Sequence, residues 1–185
     1  MNSLNLDEDA LSVFEATLDA ERRFSCESSS SERHILCIRI HIARCFSKLG
    51  RLDETIAIER EVYAREKVLL GPTDDDTLIT ANNLIYSLIR LKQYVEAKAL
   101  AREVIPRCRR ALGSEDDLTL TFEENYAEAL YSDPRASQKE ISEAISVLAN
   151  ATSIRSRVFG SLHPQTSGAL ASLEGARMKR EDVAA

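Results

Sequence analysis

Residues 70–78 read LGPTDDDTL, and residues 112–120 repeat them as LGSEDDLTL; a looser copy, FGSLHPQTS, occupies residues 159–167. The glycines of the three copies, Gly71, Gly113 and Gly160, stand 42 and then 47 residues apart. A period of this size calls for one supersecondary unit per repeat, each covered by its neighbours, rather than one closed globule.

Register holds beyond the loop. A shift of 42 residues pairs Leu49 with Leu91, Glu54 with Glu96, Ala57 with Ala99, and Arg60-Glu61-Val62 with Arg102-Glu103-Val104. The small residues Ala57 and Ala99 are expected where two helices of a pair approach closely. Each glycine suits the left-handed residue that ends a helix, and Pro72 follows directly. The acids of Asp74-Asp75-Asp76 and Glu115-Asp116-Asp117 then sit at the positive start of the next helix. Aromatics make up only 5% of the chain and Trp is absent, a composition that suits packed helices better than a β-sandwich.

Taken along the chain, this reading expects a disordered tail over residues 1–9 and a helix over 10–25 carried by Leu11, Phe14 and Leu18. A polar loop at 26–32 follows, then repeats over about 33–71, 74–113 and 116–160, a final helix over 163–180 and a tail over 181–185. Pro106 falls inside a helix, where it removes a donor and should kink or break it. Residues 132–138, SDPRASQ, should bulge from one edge.

The formal charge of −6 argues against general affinity for nucleic acid or anionic membrane. Cys26, Cys37, Cys45 and Cys108 form no CxxC pair and no framework spacing. The acidic N-terminus MNSLNLDEDA lacks the apolar core of a secretory leader, and no apolar run approaches the roughly 18–20 residues of a membrane span. A soluble chain in a reducing, cytoplasmic compartment is expected. His34, Cys37, His41 and Cys45 form a stripe along one helix and invite a metal reading. However, ligands strung over about 16 Å of helix cannot converge on one ion, so no metal is assigned. There is no phosphate-binding glycine loop, nucleophile elbow or HExxH, and the acidic runs lack the alternation of a calcium loop. The reading is non-enzymatic, with no cofactor.

The unit length, the Thr80-Ala81-Asn82-Asn83-Leu84 motif and the linker Leu91-Lys92-Gln93-Tyr94-Val95-Glu96-Ala97 together resemble the 42-residue tetratricopeptide repeats of kinesin light chains. The resemblance covers residues 33–175 and is strongest over 48–120. A kinesin light chain would also carry a long heptad segment, which this sequence lacks, so the repeat and its binding habit carry over and the motor role does not. The resemblance implies an all-α, right-handed α-solenoid of antiparallel helix pairs. About eight helices are expected, with an unpaired helix at each end serving as caps or as the ends of a fragment.

The resemblance also implies a concave groove lined by the first helix of each pair. Mapped onto this chain, the groove takes Cys37, His41, Arg44 and Lys48, then Ile79, Asn83, Tyr86 and Arg90. Thr121, Asn125, Glu128 and Ser132 follow, and finally Gly168, Ser172, Gly175 and Lys179. Asn83 and Asn125 stand in register as backbone clamps, since an amide offers a donor and an acceptor together; the alternative is that they bond within the scaffold. Arg44, Lys48, Arg90 and Lys179 against the single acid Glu128 point to an acidic ligand, unless these cations merely sit in water. The expected function is an adaptor that binds an extended, acidic peptide segment of another protein. The alternative is a structural or regulatory segment that stacks on other repeats or on a second copy. The partner's identity and the oligomeric state stay open.

Overall fold

The computed structural model describes residues 3–24 and 29–184, and every regular element among them is an α-helix. These are α1 (Ser3–Phe24), α2 (Ser29–Lys48), α3 (Leu52–Leu69), α4 (Asp75–Arg90), α5 (Tyr94–Leu112), α6 (Asp117–Tyr131), α7 (Gln138–Phe159) and α8 (Pro164–Ala184). They fall into two compact units, Met1–Leu91 and Lys92–Ala185. No described helix is long and apolar enough to cross a membrane.

The repeated turn works as its sequence dictates. Gly71, Gly113 and Gly160 take φ of 100°, 101° and 88°, a region that costs a side-chain-bearing residue but not glycine. Three residues on, Asp74 accepts the Asp76 N–H and Asp116 accepts the N–H groups of Leu118 and Thr119. In the third copy His163 Nδ1 accepts the Gln165 N–H at 3.3 Å. Each N-cap satisfies donors that the first helical turn leaves free.

In unit 1, α1 packs on α2, α2 on α3 and α3 on α4. Leu11 and Leu18 from α1 close over Ile38, Ile42, Cys45 and Phe46 from α2, with Phe14 at the margin. The close approach of α2 and α3 is made by Thr55, whose hydroxyl donates to the Ala43 carbonyl at 3.3 Å. Ala57 and Ala99 are both exposed, contrary to expectation. The small residues that pack are Ala97 and Ala101, displaced by two positions and therefore on a different face of the helix.

Unit 2 holds α5 on α6, α6 on α7 and α7 on α8. Its best-anchored loop is residues 132–138, which do not simply bulge outward. Asp133 is buried and takes Lys98 Nζ of α5 at 3.1 Å, while the same ammonium reaches Glu140 at 2.9 Å. Ser137 and Glu140 form a reciprocal capping box that starts α7. Burial opposes the Lys98 charge, but the hydrogen bonds to Glu140 and Asp133 outweigh it and raise its pKa. The backbone N–H of Ser137, then Lys98, holds Glu140 at about 2. Lys98→Met keeps the apolar stem but strands the buried Asp133, so urea unfolding should show a loss of about 2 kcal/mol. A loss under about 0.5 kcal/mol would mean that water serves Asp133 equally well.

Several boundaries depart from expectation. α1 begins at Ser3, so residues 3–9 are helical, and α8 continues to Ala184. α2 starts at Ser29 inside the expected loop; residues 25–28, and with them Cys26, lie outside the described residues. α5 runs through Pro106 without a break. The ring is exposed, so it meets solvent rather than a neighbouring helix.

Candidate functional site

On α4 the residues Thr80, Ala81, Leu84, Ile85 and Leu88 are buried against the rest of unit 1. Helical periodicity then turns Asn83, Tyr86 and Arg90 toward the opposite side. Asn83 is half-buried, and Tyr86 and Arg90 are exposed. Together with α2 and α3 they border a cavity of about 200 Å³ lined by Ile40, Arg44 and Ser47, by Glu59, and by Asn83, Tyr86 and Ser87.

The cations divide into engaged and open ones. Arg90 Nη1 donates to Ser47 Oγ at 2.7 Å and to the Ser47 carbonyl at 3.3 Å, and its guanidinium lies 5.9 Å from the centre of the Tyr86 ring. These partners are neutral, so Arg90 keeps its full charge. Lys48 reaches Asp7 of α1 at 3.1 Å and shares its charge there. Arg44 is exposed and forms no salt bridge with any described residue. The side-chain amide of Asn83 likewise makes no hydrogen bond to a described residue.

The histidine–cysteine stripe divides, with His41 and Cys45 packed and His34 and Cys37 exposed. The His41 ring stacks on Phe14 of α1, with centroids 5.0 Å apart and planes 9° apart. His34 Nδ1 lies 3.1 Å from Glu21, Cys45 is buried and Cys37 is exposed. His41 therefore belongs to the α1–α2 contact rather than to an open wall.

An acid that the sequence reading passed over, Glu59 of α3, lines the same cavity. It is only 5% exposed. The Ser87 hydroxyl bonds its carboxylate, while Oε2 accepts no hydrogen bond. Burial raises its pKa to about 7, against a smaller opposing effect of Ser87. The signal for its burial lay in the register: Ala101 and Leu148, the same position one and two repeats on, are both fully buried.

In unit 2 the expected residues are tied more closely to the scaffold. Asn125 is half-buried and already engaged by another residue. Thr121 accepts Arg155 Nη2 at 3.1 Å, and Ser132 ends α6 by donating its backbone N–H to the Glu128 carbonyl at 2.9 Å. Glu128 is half-buried, and burial pushes its carboxyl pKa up. The small residues of α8 have a neighbour beside them: the Tyr131 hydroxyl bonds Ser172, and a Cβ on Gly175 would lie 3.7 Å from it. Gly168 faces open space, and Lys179 is half-buried. Among the described residues no group of three or more His, Cys, Asp or Glu is placed to hold a metal ion.

The tetratricopeptide repeat family model matches residues 77–117. In structure the chain is similar to the nearly identical TPR-like repeats of a Podosopora anserina kinesin light chain candidate. For a single-substitution variant of that protein the TM-score is 0.77 at 19% identity, covering 95% of this chain and 79% of the other. The form without the substitution gives 0.75 at 19% identity, covering 95% and 80%. BtubC (BKLC) from P. vanneervenii gives 0.77 at 16% identity, covering 95% and 67%. A search of the curated proteins gives no match. Residues 77–117 thus match a tetratricopeptide repeat, and the all-α fold is similar to that of the kinesin light chain-like repeat proteins.

Proposed function

We propose that the chain is a non-enzymatic protein-interaction module, an adaptor that binds an extended, acidic segment of another protein along the face bearing Arg44, Asn83, Tyr86 and Arg90. The observation that carries this reading is the pairing, around one cavity of unit 1, of an amide and a guanidinium that no described residue occupies. The amide can meet a peptide unit with both its donor and its acceptor. Arg44 and Arg90 can take carboxylates in charge-assisted bonds, on a protein whose net charge is −6. Unit 2 offers its own candidates, Asn125 and Glu128. No cofactor or nucleic acid enters this reading, and free cysteines at positions 37, 45 and 108 suit a reducing, cytoplasmic setting.

The test is a titration of the chain with an acidic peptide chosen from a display library. One neutral hydrogen bond at about 1 kcal/mol predicts that Asn83→Ala raises Kd about fivefold, with circular dichroism unchanged. An unchanged Kd would remove the clamp.

A second reading has its own support. On α8, Leu170 and Met178 are 44% and 67% exposed, as they would be on a face that stacks against a further repeat or a second copy. Sedimentation over a range of concentrations separates the two readings, since only stacking makes the mass rise.

A further inference from the structure

We propose that unit 1 carries a second docking surface, on the side of α2 away from Arg44, that takes a basic and apolar segment of another protein. One apolar side chain of that segment seats between α1 and α3, with Lys or Arg beside it.

A cavity of about 400 Å³ opens between these helices. Its floor is Leu18 of α1, Ile42 and Phe46 of α2, and Ile58 of α3. Leu18 and Phe46 each keep 9% of their surface open, Ile42 keeps 5%, and Ile58 is half-buried, so a ligand meets an apolar floor that gains from being covered. Helical spacing puts Ile42 and Phe46 on the face of α2 opposite Ile40, Arg44 and Ser47. This cavity is therefore separate from the one bordered by Asn83.

The charges around the floor select what covers it. Glu15 and Asp19 border the cavity from α1; both are exposed, and neither forms a salt bridge with any described residue. The cation of the lining, Arg39, donates to both carboxylate oxygens of Glu61 at 2.5 Å and is taken up there. Arg51 lies 4.2 Å from the centre of the Phe46 ring and pairs with Glu54. Two carboxylates are left without a counter-charge. An acidic segment would meet them as like charges, and a wholly apolar one would cover the floor without answering them. An apolar residue flanked by Lys or Arg does both, with the apolar contact at the centre and the charges at the rim.

The furrow recurs with the repeat. In unit 2 a cavity of about 350 Å³ is bordered by Tyr126 and Val147, the register equivalents of Ile42 and Ile58. There the charges are matched: Arg102 and Glu143 both bond the Tyr126 hydroxyl, and Arg109 bonds Glu123. The unanswered acids belong to the copy in unit 1.

The experiment pans a display library of random peptides on the intact chain and on the variant with Glu15→Lys and Asp19→Lys, both shown by circular dichroism to be folded. Wild type is expected to enrich peptides in which Leu, Ile or Phe stands beside Lys or Arg. A peptide of that class, synthesised and titrated, should bind the variant about tenfold more weakly at low salt. In methyl and amide NMR of the wild-type chain it should move Ile42 and Ile58 and leave the Asn83 side-chain amide in place. Recovery of no such peptide, or equal binding to the variant, would overturn the inference, as would shifts at Asn83 in place of Ile58. A mass that rises with concentration in wild type and not in the variant would give the surface to a second copy, and would overturn it too. None of these outcomes bears on the acidic-peptide reading, which Asn83→Ala tests.

Discussion

Arg155→Ala should cost about 4 kcal/mol of stability and lower the melting temperature by about 10 °C. Arg155 of α7 is 2% exposed, the largest fully buried side chain among the described residues. Its Nε meets Glu124 at 2.6 Å, Nη1 pairs with Asp117, and Nη2 meets Thr121 Oγ1 at 3.1 Å. Asp117 in turn accepts Gln165 Nε2 of α8 at 3.1 Å, so one guanidinium organises three helices of unit 2. Truncation would leave a hole the size of the side chain and strand Glu124. Burial already pushes the Glu124 carboxyl pKa upward against the pull of Arg155. Arg155→Lys should recover less than half the loss, because a single ammonium cannot reproduce a fork with three partners. Denaturant unfolding of the three proteins measures this; a loss within about 1 kcal/mol for the alanine variant would show that the network adds little beyond what water provides.

The second large effect is a pH dependence. Folding raises the Glu59 pKa from the ordinary 4.5 to about 7, so the native state holds this proton more tightly than the unfolded chain. The stability it contributes is complete below about pH 4.5 and is lost as pH rises through 7. Across that window the loss amounts to about 3 kcal/mol. Glu59→Gln has no proton to lose. The stability of the variant relative to wild type should therefore climb between about pH 5 and pH 8 and level off above. Other carboxyls shift too, Glu66 and Glu128 upward through burial and Glu140 downward, but the difference between the two proteins isolates Glu59. A flat difference across that range would show the carboxylate to be well solvated.

What the sequence could reveal followed from the kind of signal involved. The three glycine turns, their acidic N-caps and the 42-residue register are local and periodic, and the described helices follow from them. The interior polar residues are neither. Glu66, Cys108 and Arg155 each precede their repeat's glycine by five residues; Glu66 and Cys108 meet the helix that follows their own, whereas Arg155 of α7 meets the preceding α6. Glu66 bonds Thr80, Cys108 lies 3.3 Å from Thr119 Oγ1, and Arg155 meets Thr121. One structural position thus carries three chemistries. Residue type alone would put the charged ones at the surface, whereas register puts them inside.

The same distinction sorts the site. The resemblance put Asn83, Tyr86 and Arg90 on one side of α4, and there they lie opposite its buried face. Whether a cation was open or engaged was not legible, because Asp7 lies 41 residues from Lys48, and Phe14 stacks on His41 from another helix. Such pairings belong to tertiary packing. Pro106 shows the reverse error: its rule is local, but the ring lies on the exposed side of α5 and the helix absorbs it.

The measurement closest to the central claim is a peptide display screen with acidic and neutral extended peptides at low and moderate salt. It should run on the wild-type chain beside Arg44→Glu, with both proteins shown to be folded. The account predicts that wild type enriches acidic peptides, more strongly at low salt, where the attraction is less screened. Reversing the charge at position 44 should abolish that enrichment. A folded wild-type chain that enriches no peptide, or the same peptides as Arg44→Glu, would contradict it.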